Sequence, residues 1–124
     1  MRETTKPFDG RLLIVHPDLA EATGRASDLA RAGLRCWATA SPDEALQLAR
    51  SNQEIRVLLV DCPLEGRAAS FVWRFRQLRP DVTTVGMCME ERCDLCWLGV
   101  DHSLSGQWRA TDLTDILVDR GTGH

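Results

Sequence analysis

At 124 residues the chain has room for one domain, with a single core that hides about two thirds of the unfolded chain's surface. Hydrophobic residues make up 44% and charged residues 27%, the balance of a globular protein rather than of a disordered tail. Fifteen basic against eighteen acidic residues leave a net charge of −3, so no basic footprint argues for nucleic acid. The longest strongly apolar stretch, Val57 to Val60, is far short of the roughly 20 residues that a membrane span needs. Met1 to Pro7 lacks the apolar region of a secretory signal, which makes the cytoplasm the expected compartment. Cys36, Cys62, Cys88, Cys93 and Cys96 are an odd number of thiols without an export signal, so a disulfide framework is not expected. Fourteen of the fifteen basic residues are arginine. The single lysine, Lys6, lies outside the expected domain, so no mechanism that needs a lysine inside the fold is open to this chain.

Residues 1–10 read as a loose lead-in and residues 121–124 as a frayed tail, leaving 11–120 as the domain. Leu12 to Val15 is a short apolar run with the character of a strand buried on both faces. From Asp18 to Ala32, Leu19, Ala22, Ala26, Leu29 and Ala30 recur at helical spacing, and Gly33 stops the pattern. Leu34 to Ala38 reads as a second strand. Ser41, Pro42 and Glu44 form the start of a helix running to about Ser51, with Ser as cap, Pro at the first position and Glu closing a capping box. Ile55 to Val60 is the most apolar strand and is expected at the sheet centre.

Ala68 to Leu78 places Phe71, Val72, Phe75 and Leu78 on one stripe of a helix that ends before Pro80. Its arginines Arg74, Arg76 and Arg79 read as the solvated side. Val82 to Cys88 and Val100 to Leu104 are the fourth and fifth strands, linked by a short helix at about Glu90 to Trp97. A last helix, Asp112 to Val118, turns Leu113, Ile116 and Leu117 inward. Strands alternating with helices five times over predict an α/β domain, a doubly wound parallel sheet with right-handed crossovers and helices on both faces.

In such a sheet, ligands gather at the carboxyl ends of the strands. His16, Pro17 and Asp18 follow the first strand, Asp61 the third, Cys88 the fourth, and Ser105, Gly106 and Gln107 the fifth. The runs Leu12–Val15, Val57–Asp61, Leu78-Arg-Pro-Asp-Val82 and Leu98-Gly-Val-Asp101 together resemble the receiver domain of bacterial two-component response regulators, over about Arg11 to Arg120. The resemblance implies the CheY-like, flavodoxin-like fold with a five-stranded parallel sheet of order 2-1-3-4-5.

Carried over residue by residue, the resemblance puts the phosphoacceptor position on Asp61. The two acidic residues that hold Mg²⁺ in the family fall on His16 and Pro17, and the hydroxyl residue after strand four falls on Cys88. The Lys-Pro pair falls on Gly106 and Gln107, and the switch aromatic on Ser103. Phosphoryl transfer to a carboxylate needs a cation that neutralises developing charge, and Mg²⁺ prefers carboxylate oxygens in octahedral geometry. Asp18 lies one residue off the family position, and Arg109 is the cation nearest in sequence to the missing lysine.

The expectation is a degenerate receiver, a non-enzymatic protein–protein interaction module in bacterial signalling that needs no cofactor. Its partner is a signalling protein, such as a histidine kinase or a separate output protein, or a second copy of the chain, with neither nucleic acid nor membrane involved. The alternative is an atypical receiver phosphorylated on Asp61, for which alone Mg²⁺ is implied. A third reading is a metal- or thiol-based sensor. His16, Asp61 and Cys88 converge at adjacent strand ends, and Cys93 and Cys96 form a C-x₂-C pair, all ligand types suited to zinc or iron.

Trp97 and Trp108 flank strand five, the face that receivers generally offer to partners, and are the candidate interface; the opposing reading places Trp108 in the core. Trp37 lies in a strand, and Trp73 projects off the inward stripe of its helix. No glycine-rich dinucleotide loop, Walker lysine or nucleophile elbow is present, so independent catalysis is not expected.

Overall fold

The structure, a computed structural model, describes residues 11–61, 68–88, 100–105 and 108–122. The elements run β1 (Arg11–Val15), α1 (Leu19–Arg31), β2 (Cys36–Thr39), α2 (Pro42–Ser51), β3 (Ile55–Asp61), α3 (Ala68–Leu78), β4 (Thr83–Cys88), β5 (His102–Ser105) and α4 (Ala110–Thr122). The five strands form one parallel sheet of order β2-β1-β3-β4-β5, as the resemblance implies. The short helix expected at Glu90 to Trp97 lies outside the described residues. Several boundaries move: β2 runs Cys36–Thr39 rather than Leu34 to Ala38, β5 begins at His102 rather than Val100, and α4 starts at Ala110 and continues to Thr122, into the stretch read as a tail.

β3 is apolar from Val57 to Val60 because it sits there between β1 and β4 and is covered on both faces. Alternate residues feed two cores. Leu12, Ile14, Val57, Leu59, Val85 and Met87 face α1 and α4. Leu13, Val15, Ile55, Leu58 and Val60 face α2 and α3, meeting Ala45, Ala49, Phe71, Val72 and Phe75. Four residues, Leu12 to Val15, are fully buried, so a register slip of one residue would exchange the contents of both cores without exposing either.

The helix ends have identifiable causes. Asp18 caps α1, its Oδ1 accepting from the N–H of Ala20 at 2.9 Å and of Glu21 at 3.4 Å. At the other end Gly33, with φ of 90°, sits in the left-handed region and completes a Schellman pair, Gly33 N–H to Ala30 O and Leu34 N–H to Leu29 O, each 3.0 Å. Ser41 caps α2 by accepting from Glu44 N–H at 3.2 Å. The expected capping box closes differently: Ser41 N–H donates to the Thr39 hydroxyl at 3.1 Å, and that hydroxyl donates to the Glu44 carboxylate. Buried Thr39 thus relays the bond that Glu44 would make directly.

Arg79 departs most from its sequence reading. It is 6% exposed, not solvated. Its guanidinium donates to the carbonyls of Ala49 at 2.7 Å, Asn52 at 3.2 Å, Gln53 at 3.4 Å and Ile55 at 2.8 Å, and pairs with Asp81 at 2.9 Å. The planar fork that suits Arg to several acceptors at once is used to gather the end of α2 and the start of β3 at the amino end of the sheet. Arg76 is also engaged, donating to Thr84 Oγ1 and Asp101 Oδ1, each at 3.2 Å. Asp101 in turn accepts from Thr84 N–H at 2.9 Å, which ties the approach to β5 onto β4.

Candidate functional site

The carboxyl ends of β1 and β3 bring His16 and Asp61 together, as the strand order requires. His16 Nε2 lies 3.6 Å from Asp61 Oδ1. His16 Nδ1 accepts the N–H of Asp18 at 3.0 Å. That bond occupies the ring's only lone pair in its neutral form, so Nε2 carries the proton and directs it toward Asp61. The side chains are 26% and 16% exposed, so the pair is accessible from solvent but largely enclosed.

Beside it lies a cavity of about 100 Å³ whose lining includes Ile14, Glu21, Arg25, Met87 and Trp108 together with His16 and Asp61. The guanidinium of Arg25 lies 4.7 Å from the centre of the Trp108 ring, a cation–π contact across the cavity wall. Among the described residues Arg25, not Arg109, is the arginine that lines the cavity; Arg109 is exposed, and its N–H donates to Asp112 at 2.7 Å. The signal for Arg25 was present in the sequence: it follows Ala22 by three residues and precedes Leu29 by four, on the buried stripe of α1.

The fold implies Mg²⁺ at this position, and the donors do not fit it. His16 presents an N–H rather than a lone pair to Asp61, Pro17 has no side-chain donor, and Asp18 spends Oδ1 on capping α1. Among the described residues no three His, Cys, Asp or Glu side chains are placed to hold a metal ion. The backbone of Cys88 ends β4 opposite Ser105, and Ser103 is half-buried in β5 opposite Gly86. Cys62, Cys93, Cys96, Trp97, Gly106 and Gln107 lie outside the described residues.

The paired interface expectation needs correction at Trp108, which is only 7% exposed and belongs to the core on the α1 and α4 side. Just ahead of α4, its large ring packs into that core and leaves little indole surface to dock a partner. Trp73, by contrast, is 64% exposed. Trp37 is half-buried against the α2 and α3 core, with the Arg11 guanidinium 5.4 Å from its ring centre. Cys36 is half-buried too, and burial pushes its thiol up to about 11, far from the thiolate character that reactive cysteines need.

No family model matches the chain, and no curated protein sequence matches it. Solved structures do. A response regulator receiver domain protein from Clostridium thermocellum is 16% identical with a TM-score of 0.78, covering 90% of this chain and 96% of that one. A CheY-like response regulator receiver domain protein from Methanospirillum hungatei is 19% identical with a TM-score of 0.74, over 90% and 92%. A response regulator protein from Burkholderia pseudomallei, solved with a phosphorylated aspartic acid, calcium ion and citrate, is 18% identical with a TM-score of 0.73, over 92% and 74%. At these identities the likeness is one of backbone, and it agrees with the strand order and the two-faced helix packing: the chain has the fold of the CheY-like response regulator receiver domains.

Proposed function

We propose that this chain is a degenerate receiver that acts by protein–protein interaction in signal transduction, without a phosphorylation cycle. The observation that supports this most is the orientation of His16. Where a phosphorylatable site needs a carboxylate to share a cation with Asp61, an imidazole offers its proton instead. A phosphoryl group on Asp61 would meet no metal ligand from His16 or Pro17. The domain also supplies no lysine to stabilise it. A conformational shift requires a ligand that contacts two states differently, and these contacts are the ones missing.

A second reading, a phosphoacceptor, keeps one observation in its favour: Asp61 ends β3 with its side chain lining the cavity, and the Burkholderia pseudomallei neighbour carries its phosphoryl group on an aspartate. The experiment that separates them is amide NMR on the intact chain. Adding Mg²⁺ with acetyl phosphate, or with beryllofluoride, is expected to leave the spectrum unchanged. Saturable Mg²⁺-dependent shifts around Asp61 that vanish in Asp61→Asn establish the phosphoacceptor instead.

A further inference from the structure

The face of the molecule made by α2 and α3 carries a feature that neither the Asp61 cavity nor the core requires. Leu46 and Arg50 on α2, one turn apart, face Trp73, Arg74, Gln77 and Leu78 on α3 across an open groove of about 450 Å³. Leu46 and Leu78 are half-buried and pack down on the core. Above them Trp73 stands 64% exposed, although a tryptophan in a helix of this kind is ordinarily turned inward. The other helix positions facing the core are filled by Phe71, Val72 and Phe75, so the indole is surplus to packing.

The charge of this face is one-sided. Among the described residues, no acidic side chain lines the groove. Arg50 and Arg74 are both exposed and, among the described residues, neither has an ion-pair partner. Their neighbours Arg76 and Arg79 are committed to Asp101 and Asp81. An exposed tryptophan beside two exposed guanidiniums, over a shallow apolar floor, combines side chains enriched in binding hot spots. A symmetric pairing of this groove with its own copy would set Arg50 and Arg74 against the same two arginines, and that like-charge contact disfavours a second copy as the occupant.

We infer that the α2–α3 groove is a docking site for an acidic, amphipathic peptide segment of a partner protein, with one large apolar side chain laid against Trp73 and carboxylates meeting Arg50 and Arg74. This rests on the reading of the chain as an interaction module, and it places the interaction on the opposite side of the sheet from Trp108. A helix is the form that fits a groove between two helices, presenting apolar residues at i, i+3 and i+4 with acids flanking them.

The test is selection of a random-peptide display library on the intact protein, with counter-selection on Trp73→Ala, followed by fluorescence anisotropy on an enriched synthetic peptide. Enriched sequences are expected to combine Asp or Glu with an aromatic or leucine anchor. The peptide is expected to bind about tenfold or more weaker to Trp73→Ala and to the Arg50→Glu/Arg74→Glu double variant, at unchanged melting temperature, and to weaken with added salt. Enrichment without acidic bias, no enrichment, or binding indifferent to Trp73 overturns the inference. So does a concentration-dependent dimer in analytical ultracentrifugation that disappears in Trp73→Ala, which would make a second copy the occupant. None of these outcomes depends on Mg²⁺ or on Asp61, so failure here leaves the phosphorylation question to its own experiment.

Discussion

The two ends of the sheet treat their polar groups in opposite ways. At the amino end, one buried guanidinium satisfies four carbonyls and pairs with Asp81, leaving its donors filled. At the carboxyl end, Asp61 meets His16 at 3.6 Å, beyond a good hydrogen bond, beside a cavity of about 100 Å³. A polar group whose bonding capacity is used up inside the fold contributes stability and little else. One with capacity left over is where a ligand, a partner or a covalent change acts, and in open parallel sheets that is the carboxyl end.

If this contrast is right, Arg79→Met is the most damaging single change. It leaves the buried carbonyls of Ala49 and Ile55 without a donor while keeping an apolar stem. Chemical denaturation is expected to show a loss of about 4 kcal/mol. Asp81→Asn serves as its control. The Asp81 side chain is half exposed, so removing its charge should cost only about 0.5 kcal/mol, and an equal loss in both variants breaks the argument that the carbonyls matter.

Trp108→Ala comes next, at about 3 kcal/mol, since it empties part of the core and removes the ring over which Arg25 lies. A variant that keeps wild-type stability would return Trp108 to the surface.

Asp101 gives a smaller, pH-dependent effect. Burial pushes its carboxyl up, but the Thr84 N–H and the Arg76 guanidinium outweigh this and hold it below the ordinary carboxylate value. A lowered folded-state pKa means stability that is present above the unfolded-state value near 3.9 and lost as pH falls through the folded value. Asp101→Asn is therefore expected to cost about 1–2 kcal/mol at pH 7. Its deficit against the wild type should shrink as the pH drops below about 4, and a constant deficit across that range shows that the carboxylate charge is not what ties β5 to β4.

Asp61→Asn sharpens the other end. With no hydrogen bond from the described residues to lose, it should change stability by no more than about 0.5 kcal/mol. A loss as large as that of Arg79→Met would mean that Asp61 is a structural group like the rest.

The fold was legible because its signals are periodic. Apolar runs of strand length alternate with amphipathic helices, and acid, Ser or Gly marks most of their ends. Asp61 was legible for the same reason, as the polar residue that stops the most apolar strand. The pairing of His16 with Asp61 followed from strand order, but its direction did not. Which face of the imidazole meets Asp61 is decided by the Asp18 N–H, a main-chain group that no residue type announces. Trp108 was ambiguous because it lies between a strand and a helix, where no periodicity assigns a side. Arg74 and Arg79 look alike in the sequence, five residues apart on one helix and its end. Only the chain's return past the start of β3 separates an exposed guanidinium from a buried one.

The Arg79 clamp has a consequence for how this fold tolerates divergence. Its four principal acceptors are main-chain oxygens, so positions 49, 52, 53 and 55 can change side chain without releasing it, within the limits that core packing sets. Only the arginine itself is chemically specified, since a lysine cannot reach four acceptors with one ammonium. Substitutions around the clamp therefore need not be compensated elsewhere, and the anchorage would leave almost no covariation between positions for a sequence comparison to detect.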